Sequence, residues 1–182
     1  MSGQITIGLK RLFQRCSQHS AQDRIELGFT LVELLVAVAI ASVLSSVAVP
    51  TFLRSVQRAR IAAVAKDLDG FAAGVQSYAL LNGGYPPDNH NDYPPGTEGY
   101  LNTAAFNLET PIGGRYNWEG PDLPSNDGAG IALFASPASV DVLEALDGML
   151  DDGDLATGKF IMSTKGRPTL ILDDCTASYS LC

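Results

Sequence analysis

Histidine is nearly absent from this chain of 182 residues, which holds only His19 and His90. The commonest general base near neutral pH is therefore scarce. No nucleophile elbow, phosphate loop or metal dyad stands in for it, so the expectation is a protein that is not an enzyme. Cysteine is equally sparse: Cys16 stands alone near the start, while Cys175 and Cys182 close the chain. None belongs to a Cys-x-x-Cys pair or a Cys/His cluster, which argues against zinc. Cations are the third shortage. Lys and Arg number 12 against 20 Asp and Glu, for a formal net charge of −8 and a pI near 4.6. Sequence-independent binding to nucleic acid depends on clustered cations facing phosphates, so no nucleic-acid partner is expected. The length suits one modest domain plus an anchor and is too short for two ordinary domains.

What the chain does have is one long apolar run. Residues 29–49, FTLVELLVAVAIASVLSSVAV, carry a single charge, Glu33. At about 1.5 Å per helical residue such a run spans the roughly 30 Å hydrocarbon core of a bilayer. Its length, its near-absence of polar groups and its position near the N-terminus disfavour a buried core helix. A secretory signal would have a shorter apolar region ending in a small-x-small cleavage site. Residues 1–28, by contrast, are polar and mixed, with Lys10, Arg11, Arg15 and Arg24 against Asp23 and Glu26.

The run flows into a second helical pattern. Ile61, Val64, Leu68, Phe71, Val75 and Tyr78 recur at spacings of three and four, and Arg58, Arg60, Lys66, Asp67, Asp69 and Gln76 occupy the other faces. That is an amphipathic helix with one apolar stripe. Pro50 lies between the two patterns and is expected to bend the helix rather than end it, because the periodicity resumes beyond it. Residues 82–100, NGGYPPDNHNDYPPGTEGY, are dense in turn formers and read as an irregular connection. Strand-like pieces follow at 114–118, 130–135, 159–163 and 168–172, the last two flanking the hairpin turn TKGR. Residues 136–146 read as a short helix with Ser136 as N-cap and Pro137 at its first position. The fold class is thus α+β: a long N-terminal α-helix, membrane-spanning in its first half and amphipathic in its second, packed on a small antiparallel β-sheet head.

Gly28-Phe29-Thr30-Leu31-Val32-Glu33, leading straight into the apolar run, resembles the processing site of type IV pilins and type II secretion pseudopilins. The resemblance implies that a prepilin peptidase cuts after Gly28 and that the new N-terminus, Phe29, is N-methylated. It also implies that Glu33, and Pro50 as the helix-bending proline, serve assembly. Residues 1–28 would be a cleaved leader, 29–49 a transmembrane and filament-core helix, 50–81 its amphipathic continuation, and 82–182 a periplasmic pilin-like head. A carboxylate inside a membrane helix costs about 2.5–3.5 kcal/mol on insertion scales. In the family's filament, Glu33 of a joining subunit would meet the α-amine that cleavage creates on a neighbour. LLNGGYPPD (80–88) and TPIGGRYNW (110–118) are similar to major pseudopilins, with Thr110 where that group has an acid.

On that resemblance the chain is expected to be a structural subunit of a type II secretion pseudopilus, with a major or minor subunit of a type IV pilus as the alternative. The implied partners are identical and related pilin-like subunits, the prepilin peptidase and N-methyltransferase, an inner-membrane assembly platform and, before assembly, lipid. The implied location is the inner membrane, single-pass with the head in the periplasm, and then a periplasmic pseudopilus or a surface pilus. Charge bias does not fix the orientation, since Arg54, Arg58, Arg60 and Lys66 follow the span as closely as four cations precede it. Those later cations face either acidic patches on neighbouring subunits or solvent.

Two features of the head remain open. Acid is concentrated at Asp141, Glu144, Asp147, Asp151, Asp152 and Asp154, and hard oxygen donors at close spacing suit calcium. Major pseudopilins hold calcium in the C-terminal loops of the head, which makes Asp147, Asp151, Asp152 and Asp154 candidate ligands here. DDGDLATG does not follow EF-hand spacing, however, and a plain acidic turn is the alternative. No other cofactor is expected. Pilins often carry a disulfide near the C-terminus, and an oxidising periplasm would permit one between Cys175 and Cys182; two free thiols are the alternative. Cys16 would leave with the leader.

Overall fold

A computed structural model describes residues 29–89, 92–121 and 128–173. The chain falls into two units, Met1–Val47 and Ala48–Cys182. In the first, all described residues from Leu31 onward are helical and exposed. They belong to α1, Leu31–Asn82, which contains Pro50 without interruption. The hydroxyls of Ser42 and Ser46 donate to the carbonyls of Val38 (2.8 Å) and Val43 (2.7 Å). The helix thereby satisfies these polar groups of its apolar half by itself, as a lipid environment demands. Its far end is a glycine cap. Gly83 adopts φ of 81° and, together with Gly84, donates to the carbonyl of Ala79, a left-handed stop that glycine adopts without strain.

In the second unit α1 buries Ile61, Val64, Ala65, Leu68, Phe71, Ala72, Val75 and Ala79. The stripe expected from the spacing is present except at its end, where Ala79 is buried and Tyr78 is half-exposed. Tyr78 instead stacks edge-on against Tyr100, with ring centroids 5.6 Å apart. Gly74 is buried because the connection crosses there: a Cβ would lie 2.6 Å from the Tyr100 carbonyl oxygen.

The stripe packs on one face of a four-stranded antiparallel sheet formed by β1 (Arg115–Glu119), β2 (Ala129–Phe134), β3 (Phe160–Met162) and β4 (Pro168–Asp173) in the order β1-β2-β4-β3. Alternation selects that face. Tyr116, Trp118, Ile131, Leu133, Phe160 and Leu170 enter the core, while Asn117, Glu119, Gly130, Ala132 and Thr169 occupy the alternate positions. On the alternate positions Glu119 accepts ion pairs from Lys165 (2.7 Å) and Arg167, and its carboxylate also receives the Asn117 amide at 2.8 Å. The hairpin between β3 and β4 closes at Gly166, with φ of 70°, as the TKGR turn predicts.

Trp118 is fully buried and donates its indole N–H to the Pro86 carbonyl at 3.2 Å. Tyr85 lies against the same indole, and Asp88 receives the Gly120 N–H at 2.8 Å. The Gly- and Pro-rich connection is thus held on the sheet edge by an aromatic anchor; truncating such a tryptophan costs about 3–5 kcal/mol. A four-residue helix that the sequence reading does not contain, α2 (Thr103–Phe106), seats Phe106 against Phe71 and Tyr116.

The last helix, α3, spans Val140–Leu150 and differs from the expected 136–146. Ser136 is not its N-cap. The Ser136 hydroxyl receives the Ala138 N–H at 3.4 Å in a local turn, and the ring of Pro137 packs over Gly113, where a Cβ would come within 2.7 Å. That packing keeps 136–139 out of the helix, and Ser139, with extended φ and ψ, occupies the cap position. The helix then continues past Leu146 because Leu143, Leu146 and Asp147 are all buried against the head. The architecture is α+β, a long N-terminal helix packed on a small antiparallel sheet.

Candidate functional site

Two places carry unusual chemistry. The first is the start of α1. Phe29 is 79% exposed, and Thr30 immediately precedes the first helical residue. The Thr30 hydroxyl accepts the Glu33 N–H at 3.2 Å. Glu33 reaches back, its Oε2 receiving both the Thr30 N–H and the Thr30 hydroxyl at 3.4 Å. This is a capping box: the first turn leaves backbone N–H groups unpaired, and Thr-x-x-Glu pairs them reciprocally while placing negative charge at the positive end of the helix. The lone acid of the apolar run therefore has a local partner before any other molecule arrives. The sequence reading missed Thr30, although Thr-x-x-Glu ahead of an apolar run was the available signal.

Further along, α1 carries a set of cations. Arg54, Arg58, Arg60 and Lys66 are all exposed. Asp67, also on α1, receives the Tyr116 hydroxyl at 3.0 Å. Burial first, and the Asp67 charge second, push the Tyr116 pKa far up, so the phenol stays protonated and donates.

The second place is the turn after α3. Asp147, Asp151 and Asp152 each bring a carboxylate oxygen to within 4.8 Å of the others. Asp147 is fully buried, and among the described residues neither of its oxygens has a hydrogen-bond partner of ordinary geometry. Burial foremost, then the charges of Asp152 and Asp151, raise its pKa, while the nearby Gly153 N–H acts in the opposite sense. Asp152 shifts the other way: its carboxylate takes the Asp154 N–H at 3.0 Å and the Thr157 hydroxyl at 2.8 Å, which hold its pKa down. Asp151 accepts the Lys159 N–H. Asp154 turns its carboxylate to the Ala156 N–H at 3.0 Å and does not join the group of three. An unpartnered buried carboxylate beside two more is costly without a cation. Hard oxygen donors so arranged suit calcium better than a soft metal.

The sites expected from sequence are thus dispersed. Glu33 and Phe29 sit at one end of α1, Pro50 lies within it, and Asp147, Asp151 and Asp152 converge in the head. Gly28, Cys175, Cys182 and His90 lie outside the described residues.

Comparison with known proteins bears on the first place. Residues 24–49 match the family described as the prokaryotic N-terminal methylation motif. The chain is also 34% identical over 67 residues to the type IV major pilin protein PilE of Neisseria gonorrhoeae. That likeness takes in 37% of this chain and 40% of the pilin, so the chain spans less than half the length of this relative.

Proposed function

We propose that this chain, whose residues 24–49 match the N-terminal methylation motif and which resembles a type IV major pilin over 67 residues, is a pilin-like structural subunit of a type II secretion pseudopilus. Prepilin peptidase cuts after Gly28, Phe29 is N-methylated, and α1 anchors the subunit in the inner membrane with its head in the periplasm. An assembly platform then draws it into the filament, where Glu33 exchanges its capping partner for a neighbour's α-amine. One observation carries this reading: the methylation motif runs directly into the exposed apolar first part of α1, residues 31–49, whose single acid, Glu33, is the fifth residue after Gly28.

The choice of pseudopilus rests on Asn-Gly-Gly-Tyr-Pro-Pro and Thr-Pro-Ile-Gly-Gly-Arg-Tyr in the head. Similarity to a gonococcal major pilin favours the second reading, a type IV pilus subunit. Deleting the gene separates them. Loss of protein export with surface filaments retained is expected; loss of surface filaments with export intact selects the pilus.

We propose further that the turn after α3 binds calcium through Asp147, Asp151 and Asp152. The ion would offset the mutual repulsion of the three carboxylates and tie α3 to the segment leading into β3. Calcium at a hundredfold excess over its Kd adds about 2.7 kcal/mol of stability, so the melting temperature of the solubilised chain should rise by several degrees and fall again with chelator. Asp147→Asn should abolish that response and raise the melting temperature of the ion-free protein, because an unpartnered buried charge disappears. A melting curve indifferent to calcium ends the proposal.

A further inference from the structure

The head leaves a groove beside α1, just N-terminal to the residues it buries. It holds about 890 Å³, with Leu53 and Val56 on the α1 wall and Ile112, Pro137 and Val142 facing them. Sites for drug-sized ligands are typically about 300–1,000 Å³. Among the described residues that line it, Arg60 is the one cation and Glu109 the one anion. Both are exposed, and neither makes an ion pair among the described residues. An apolar cleft therefore carries two opposite charges that do not satisfy each other.

Its position narrows the choice of occupant. The α1 wall begins at Leu53, four residues past Val49, where the apolar run ends. At 1.5 Å per residue that is about 6 Å, and the headgroup layer outside the hydrocarbon core is about 5–7 Å deep on each side. The two segments of the opposite wall each expose an apolar side chain as well. Leu108, 64% exposed, precedes Glu109, and Val140, 56% exposed, lies between Ser139 and Val142. A single exposed apolar side chain is ordinary. Two that flank one groove at headgroup depth suit the membrane interface, where apolar side chains leave water. Asp141 and Glu144, exposed on α3, oppose an anionic headgroup there.

We propose that the groove seats the headgroup of a zwitterionic membrane phospholipid with a primary amine, its phosphate on Arg60 and its ammonium on Glu109, while Leu108 and Val140 enter the interface beside it. Arginine presents a fork of donors to phosphate oxygens, and a carboxylate accepts the N–H donors that a quaternary amine lacks. The apolar walls shelter both contacts from the water and salt that weaken exposed pairs. The head then rests on the leaflet before assembly and gives up this lipid on leaving it. The proposal rests on the reading of α1 as a membrane anchor and adds a lipid site in the head.

The full-length chain reconstituted in vesicles tests it. Leu108→Trp and, separately, Val140→Trp place an exposed indole beside the groove, while Trp118 stays buried as a constant background. Phosphatidylethanolamine brominated high on its acyl chains should quench the added indole at least threefold more than one introduced by Leu80→Trp, at a position 72% exposed near the far end of α1. Extracted in mild detergent from an equimolar lipid mixture, the chain should retain phosphatidylethanolamine at least fivefold over phosphatidylcholine or phosphatidylglycerol, counted by native mass spectrometry. Arg60→Gln should lower that retention at least threefold, and Glu109→Gln should erase the preference for the primary amine. Both positions are exposed, so neither change disturbs the core. Equal retention of the three lipids, or retention unchanged in both variants, overturns the proposal. So does quenching at Leu108 and Val140 no stronger than at Leu80; an emission shift there that grows with protein density would make a second copy the occupant. A chain that floats with the vesicles yet shows no quenching sinks only the groove, whereas one that does not float sinks the anchor reading and the groove with it.

Discussion

Glu33→Ala is expected to leave membrane insertion and processing intact and to reduce incorporation into filaments by at least an order of magnitude. In the monomer the substitution removes the acidic half of the capping box with Thr30. Capping interactions are worth about 0.5–2 kcal/mol, a small loss for a 52-residue helix. Removing a carboxylate from an apolar surface also lowers the cost of insertion. In the proposed filament the balance would reverse. The apolar helices would pack against one another, and a buried α-amine without its carboxylate would be an unpaired charge costing about 3–5 kcal/mol, or more than a hundredfold in an association constant. Glu33→Gln separates the two roles, because glutamine also completes a capping box but offers no charge to the amine. If Gln behaves as Ala does, the ion pair is the function of Glu33. If Gln restores assembly, the acid serves only to start the helix, and the pairing idea fails. Quantifying processed subunit in membranes and in sheared filaments reads both outcomes.

How far the sequence disclosed this structure depended on the range of the interactions involved. The α1 stripe was legible because a helix repeats its burial every three or four residues, and Ile61 to Val75 obey that period. All four strands were found to within a residue at their ends, since alternation and glycine-bearing turns are local signals. The start of α3 was not legible. Ser136-Pro137 has the composition of a helix start, yet Pro137 is engaged by Gly113 from a loop more than twenty residues earlier, and no local pattern encodes that contact. The orphaned state of Asp147 was hidden for the same reason: its acid neighbours could be counted, but its burial depends on how α3 lies against the head. Thr30 is different. Its signal was local, three residues ahead of Glu33, and the more conspicuous acid obscured it.

Gly28→Leu carries the largest expected effect, since on the proposed reading it removes both the cut after Gly28 and everything that depends on it. A peptidase working on backbone at the membrane surface needs close approach to the scissile bond, and glycine alone presents no side chain there and leaves φ and ψ unrestricted. With leucine in place of Gly28 the chain should accumulate in the membrane with its leader attached, visible as a slower band on a gel and as the retained mass of residues 1–28. The consequence for assembly follows from charge. While the leader remains bonded to Phe29, that nitrogen is a neutral amide, and no cation exists for a neighbour's Glu33 to meet. Gly28→Leu combined with Glu33→Ala should therefore assemble no worse than Gly28→Leu alone, because two substitutions that break one interaction are not additive. A Gly28→Leu chain that is cleaved normally would show that the cut lies elsewhere. One that stays uncleaved yet enters filaments would show that the amine of Phe29 is not what Glu33 seeks.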